Sequence, residues 1–505
     1  MKVALELAPG LVSDETLYST PGRWADGSNV RFRLGKPETV GGWEKYNATL
    51  IAGVCRSALA WTDSLSQPNV AFGTNTSLNV IKSGEWYDIT PAGIGTGAID
   101  AVYYDGGWGG GGWGMGAWGV GQTEEQPRVW SLANWGEALI AAPAGGAPYY
   151  WGNDPSQVAT VISQAPQACN RILVTPERQL LAFGCEEELS GLFNPMCIRG
   201  SDIEDYTDWT TASNNNAFEH ILEGGGMIVD AKMLGSLVLV WTDSGLFVGE
   251  FLGQPDQAYR FDRVADGCGL ISPQASVVDN QTAYWMTPDL RFFFYQYGGI
   301  PTEIPCPIGR EFRDNLDTAQ VGKIVATSIQ KFGEIWWFYP DARDGDENSR
   351  YIALNVTDQT LPWFKGDIAR TAFIDSGPLA YPLGVSYAGQ TYLHENGAAA
   401  DGAALVSYIE SSAQYLGEGD RRLLLKGIWP DFEAQQGDIT LSIDVRERPQ
   451  SSASTKGPWT LATTTLKKDF LASGRLVSVK FAASAVGSFY RIGKPAFETV
   501  SLGGE

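Results

Sequence analysis

Histidine is nearly absent from this chain: His220 and His394 are the only two among 505 residues. Neither stands in a metal-spaced cluster such as HExxH, and no GxSxG accompanies them. The sequence therefore lacks the usual signatures of zinc hydrolases and Ser-His-Asp enzymes. Cysteine is sparse too. Cys55, Cys169, Cys185, Cys197, Cys268 and Cys306 are scattered without CxxC spacing, which excludes a zinc ribbon or a dithiol redox motif. They are expected to be reduced thiols, mostly buried. Long apolar runs are missing as well. No stretch approaches 18 apolar residues, so no membrane span is expected. The N-terminal segment has one basic residue and an apolar run broken by Glu6, unlike a signal peptide. A soluble, reducing compartment is the expectation. Basic residues are outnumbered, 36 against 58 acidic, for a formal charge of −22. Phosphate backbones bind clustered Lys and Arg, so tight nucleic-acid binding is disfavoured. An acidic surface instead suits solubility, or a conduit along which DNA slides.

What the chain has is glycine and aromatics, with 60 Gly and 18 Trp. Many tight turns and many large rings fit an all-β protein of short strands. A consecutive apolar run recurs along the chain, as in strands buried on both faces. It begins at Val70, Leu139, Leu181, Leu239, Tyr284, Ile335 and, less clearly, Val385. Most gaps fall near the ~40–50 residues of a four-stranded propeller blade. One full unit spans residues 226–264. It reads as Met227–Met233, Leu237–Trp241, Leu246–Leu252 and Tyr259–Val264, with turns at Asp243-Ser-Gly and Gly253-Gln-Pro. The next unit repeats the plan from Ala275 to Pro305. The expected fold is all-β, a six- or seven-bladed β-propeller with N-terminal residues completing a terminal blade. A β-solenoid has shorter, more regular repeats. Helix signals are few. Ile308, Phe312 and Leu316 share one helical face after Pro307.

Near residue 400 the pattern changes. Gly397–Ala404 reads as a linker. Beyond it, Ile439, Leu441, Ile443 and Val445 alternate cleanly, as do Val477, Val479 and Phe481. Such alternation marks strands with one wet face and suits a small β-sandwich. The expected domains are a propeller at 1–400, with an N-terminal arm and an insertion at 105–121, and a β-sandwich-like domain at 401–505.

No catalytic residue, cofactor site or metal site is assigned. Asp202, Glu204, Asp205 and Asp208 cluster, and propeller glycosidases do use paired carboxylates. No Asp-box repeats across the units, so an acidic turn over a packed Trp209 is expected. Asp341-Ala-Arg-Asp-Gly-Asp-Glu-Asn is oxygen-rich like a calcium loop, but its spacing is not that of an EF-hand. It is expected to be a hairpin tip. The insertion carries Trp108, Trp113 and Trp118 every five residues among glycines. With no strand-to-helix context and no following Lys, it is not a phosphate loop. These three indoles are the candidate partner contacts, since Trp anchors interfaces; the alternative is a loop folded back on its own propeller.

Several segments, in order, resemble a family. Pro9-Gly-Leu, Gly22-Arg-Trp, Asn29-Val-Arg-Phe-Arg and Gly41-Gly-Trp are similar to the start of tail nozzle or hub proteins of short-tailed bacteriophages, also called packaged-DNA stabilisation proteins. Phe183-Gly, Ile198-Arg-Gly-Ser-Asp, Trp241-Thr-Asp, Phe251-Leu-Gly, Cys268-Gly-Leu-Ile-Ser-Pro, Ile308–Leu316 and Phe489-Tyr-Arg-Ile-Gly extend the likeness over most of the chain. The resemblance implies a structural virion protein assembled in the host cytoplasm. It implies a homo-hexameric ring below the portal and adaptor, a central DNA channel without sequence-specific binding, and contacts to tail fibre, spike or plug proteins. It carries no catalytic residues. The alternative from the residues is a carbohydrate-binding or carbohydrate-cleaving propeller, because sugars stack on Trp and Tyr.

Overall fold

The computed structural model of the protein describes residues 2–16, 18–103, 124–224, 226–255, 257–415 and 422–502. Six sheets of four antiparallel strands follow one another in residues 55–88, 130–161, 169–221, 228–266, 276–304 and 325–366. A seventh begins with Ala372–Ile374, Leu383–Val385 and Thr391–His394. Its next strand comes from the far end of the chain: Trp43–Lys45 pairs antiparallel with Thr391–His394. The first strand of each sheet packs against the first strand of the next, and Ala372–Ile374 packs against Cys55–Thr62 of the first sheet. The fold is all-β and propeller-like.

Of the recurring apolar runs, the seventh touches the second strand of its sheet, Leu383–Val385, only at Val385 and continues into the following turn. The other six are the second strands of their sheets. Leu139, Leu181, Leu239 and Ile335 are fully buried there. A strand flanked by partners, with a sheet stacked on each face, has no wet side, so alternation is lost. Tryptophan joins neighbouring sheets. Trp130 Nε1 donates to Thr74 O at 2.8 Å, Trp285 Nε1 to Cys268 O at 2.8 Å, and Trp337 Nε1 to Ala275 O at 3.1 Å. Each indole contributes large apolar area while its polar edge stays satisfied on the adjacent sheet or loop. The five buried cysteines are free, as is the half-buried Cys306. The helix Gly309–Asn315 seats Phe312 against Phe292 and Tyr339.

Three further sheets mix the two ends of the chain. Lys2–Ala4 pairs with Ala496–Ser501, Arg23–Ser28 with Ser407–Ser411, and Lys36–Thr39 with Phe489–Ile492. Strand pairing thus crosses residue 400, and strands within residues 2–39 pair with strands beyond 405. In Ile439–Arg446 the alternation is as regular as the sequence suggests, with Ile439, Leu441, Ile443 and Val445 buried. The segment Gly397–Ala404 is not a linker. Ala399–Ala400 and Ala403–Ala404 form a hairpin about Asp401-Gly402, whose φ angles of 49° and 81° suit a type I′ turn. No helix among the described residues is long and apolar enough to cross a membrane.

Candidate functional site

Two polar constellations stand out among the described residues. The first is the joint between the circuit of sheets and the terminal sheets. Asn29-Val-Arg-Phe-Arg supplies its centre. Asn29 adopts a left-handed φ of 57°, and its Nδ2 donates to Asp367 Oδ1 at 2.5 Å and to Val406 O at 2.9 Å. Arg31 is fully buried. Its Nη1 and Nη2 donate to the two carboxylate oxygens of Glu395 at 2.9 and 2.5 Å, and its guanidinium lies over Phe332. Glu395 also accepts from Gly41 N at 3.2 Å and holds a left-handed φ of 59°. For a non-glycine residue that conformation costs energy, which the bidentate pair offsets.

Glu334 stands on the other side of Arg31. Its Oε1 is 3.3 Å from Arg31 Nε, outside hydrogen-bond geometry, and its Oε2 accepts from Trp336 Nε1 at 3.0 Å. Burial raises the Glu334 pKa to about 7, against the pull of Arg31, with Glu395 adding to the rise. Burial also raises that of Glu38, a neighbour opposed by Arg31, Arg33 and Arg491. Burial works against the Arg31 charge, and Glu334 and Glu395 overcome it, so Arg31 stays charged.

A pH dependence follows. Glu334 is easier to protonate folded than unfolded, where its value is near 4.5. Its contribution to stability is full below 4.5 and is lost as pH rises to about 7. Glu334→Gln mimics the protonated form. Its unfolding free energy relative to wild type is expected to rise from pH 5 to pH 8 by on the order of 3 kcal/mol. Urea denaturation across that range measures it, and a difference independent of pH would refute the assignment.

The second constellation is a cavity of about 360 Å³ lined by the first strands of all seven sheets. Its wall carries Arg56, Arg171, Asp230, Lys232 and Asp375. Arg56 is neutralised by Glu347 through Nη1 and Nη2, at 3.1 and 2.8 Å. Gln274 of the fifth sheet's leading segment donates to Ser57 Oγ of the first sheet at 2.8 Å. That bond reaches between non-neighbouring sheets, so the cavity is narrow there. Asp230 and Lys232 stand two apart on one strand and so share a face. That spacing was visible in Met227–Met233; that the face lines a cavity was not.

The sequence-derived candidates fall elsewhere. Trp108, Trp113 and Trp118 lie outside the described residues. His394 is buried, accepts from Arg370 Nε at 2.8 Å and packs against Trp43 and Phe373. Burial first, then Arg370, holds its pKa well below the usual value, so it is neutral. His220 stacks on Phe261 on the outermost strand of the third sheet. The acidic run is a series of turns. Asp202 accepts from Ile203 N and Asn216 N at 2.8 Å, Asp205 accepts from Thr207 N at 2.8 Å, and Trp209 is buried with Nε1 bonded to Tyr206 O. In the loop after Pro340, arginines occupy the carboxylates. Asp341 accepts from Arg343 Nε at 2.8 Å and pairs with Arg350, and Asp344 pairs with Arg350 at 2.7 Å. Among the described residues no three His, Cys, Asp or Glu side chains are grouped to hold a metal.

No family model and no curated protein matches the chain. Among solved structures, the computationally designed Ika8 protein aligns over 77% of this chain and 96% of its own, at 10% identity and a TM-score of 0.39. That likeness carries no argument; the architecture rests on the strand pairing.

Proposed function

We propose that the chain is a structural virion protein, the subunit of a homo-hexameric tail nozzle or hub. In this reading the ring continues the DNA channel below the portal and adaptor, retains packaged DNA and carries fibres, spikes or a plug. The seven sheets are read as seven blades, with Trp43–Lys45 as the fourth strand of the last, and the terminal sheets as the sandwich-like body. The observation that carries the reading is where the family-like segments meet. Asn29-Val-Arg-Phe-Arg and Phe489-Tyr-Arg-Ile-Gly enter one sheet, through Lys36–Thr39, where Arg491 Nε lies 3.5 Å from Glu38 Oε2. Gly41-Gly-Trp closes the circuit beside them. Part of the resemblance thus falls on the architecture joining two bodies, as suits a protein whose work is mechanical.

A cavity of about 360 Å³ is too small for a duplex. The proposed channel therefore lies between subunits and not through one propeller. A charge of −22 per chain gives such a lumen few sites where phosphates stick. Mass spectrometry and imaging of purified particles from the source of the chain test the reading. Six copies at the tail are expected; absence from particles would sink it.

A further inference from the structure

The cavity at the centre of the circuit holds a cation whose donors are only partly used. Arg171 is 3% exposed and lines the cavity. Its Nε donates to Val229 O at 3.3 Å and lies 3.5 Å from Asp230 Oδ1. Its two Nη groups donate to no acceptor among the described residues. Arg56 on the same wall differs, with both Nη groups satisfied by Glu347 and Ile99 O. Lys232 Nζ donates to Ser276 O and lies 3.9 Å from Asp230 Oδ2. This corner therefore holds two cations and one carboxylate, a net single positive charge. Asp375, also on the wall, accepts from Gln330 N at 3.0 Å and Ser376 N at 2.6 Å. Leu132, Leu173 and Ile374 add apolar surface.

We propose that this cavity binds a small organic monocarboxylate. The planar guanidinium fork matches a carboxylate edge, and desolvation strengthens that pair. The Nη donors are open to the cavity and not sealed inside the protein, so an acceptor that enters can reach them. With Asp375 counted the wall as a whole is neutral, so a monoanion held by the Arg171 fork is favoured over a dianion, whose second charge would meet Asp230 and Asp375. The volume admits a short acid, whose hydrocarbon end rests on the leucines. The nozzle reading is not needed for this inference and can fail separately.

The test is thermal unfolding of the full chain, titrated with sodium butyrate against sodium chloride at constant ionic strength. A saturable rise in Tm with butyrate alone is expected. Arg171→Lys keeps the charge but loses the fork, and is expected to weaken apparent affinity about tenfold or more. The double variant R171M/D230N removes the cation together with its carboxylate and is expected to abolish the effect, with folding checked by near-UV circular dichroism. Should that variant not fold, the comparison of R171K with wild type decides. No shift beyond that of chloride, wild-type affinity in R171K, a saturable effect surviving in R171M/D230N, or tighter binding of inorganic phosphate would each overturn the proposal.

Discussion

Replacing Arg31 with Met is expected to destabilise the protein by about 3–5 kcal/mol, the range for breaking a buried ion pair by removing one partner. Met fills much of the aliphatic volume, so the loss is chiefly electrostatic. Glu395, Glu334 and Glu38 would be left around an uncharged side chain, with side-chain exposures of 6%, 0% and 8%. Protonating Glu334 relieves part of this, because its pKa already stands near 7. Glu395 loses both guanidinium bonds and the contact that offsets its left-handed backbone. The damage is expected at the joint, between the circuit and the terminal sheets. Urea denaturation at pH 7 gives the magnitude, and proteolysis near residues 397–405 gives the place. The triple variant R31M/E334Q/E395Q separates charge from packing. Removing Arg31 together with its two nearest carboxylates is expected to recover most of the loss, because Glu38 keeps Arg33 and Arg491 as partners and well-packed neutral groups often replace buried ions at little cost. A triple variant as unstable as R31M would show that shape, not charge, sets the effect.

The circuit was legible in the sequence because the second strands of the first six sheets are apolar on consecutive residues, and most gaps between copies match a repeating unit. The joint was not. In Val30-Arg-Phe-Arg the alternation of apolar and charged residues reads as a strand with one wet face. Arg33 obeys that pattern, whereas Arg31 is buried because Glu334 and Glu395 arrive from parts of the chain more than 300 residues away. The hairpin at Ala399–Ala404 was hidden by composition, since four alanines beside glycine look like a linker. Asp401-Gly402 was the turn signal that spoke against it. Arg171 was hidden for a different reason. A lone arginine in Cys169-Asn-Arg-Ile-Leu-Val gives no sign of whether it faces a cavity or solvent, and the neighbouring first strands decide.

Gly42 gives the second large effect. The circuit closes through a three-residue strand, Trp43–Lys45, held to Thr391–His394 by main-chain bonds. Gly42 N donates to Gly397 O at 2.9 Å, Asn396 N to Gly42 O at 3.1 Å, and Asp401 N to Trp43 O at 2.8 Å. Backbone meets backbone here, and a Cβ at Gly42 would overlap the main chain of Ala399. A backbone cannot step aside as a side-chain tip can. Overpacking ordinarily costs about 1–3 kcal/mol, and Gly42→Val is expected to exceed that because the closing strand must shift as a unit. Trp43 would leave His394 and the guanidinium of Arg370, whose centre lies 4.8 Å from its ring. Thr391–His394 would then become an open edge, with unpaired donors and acceptors ready to join a second chain. Faster amide exchange in residues 391–394 and concentration-dependent self-association are therefore expected together, the first by hydrogen exchange and the second by light scattering. Gly35→Ala is the control, since a Cβ there meets nothing within 4 Å although its φ of 73° strains the turn. Its effect is expected to be confined to a modest loss of stability. Wild-type exchange at 391–394 in Gly42→Val would mean that the close approach of Gly42 to Ala399 is not what holds the circuit shut.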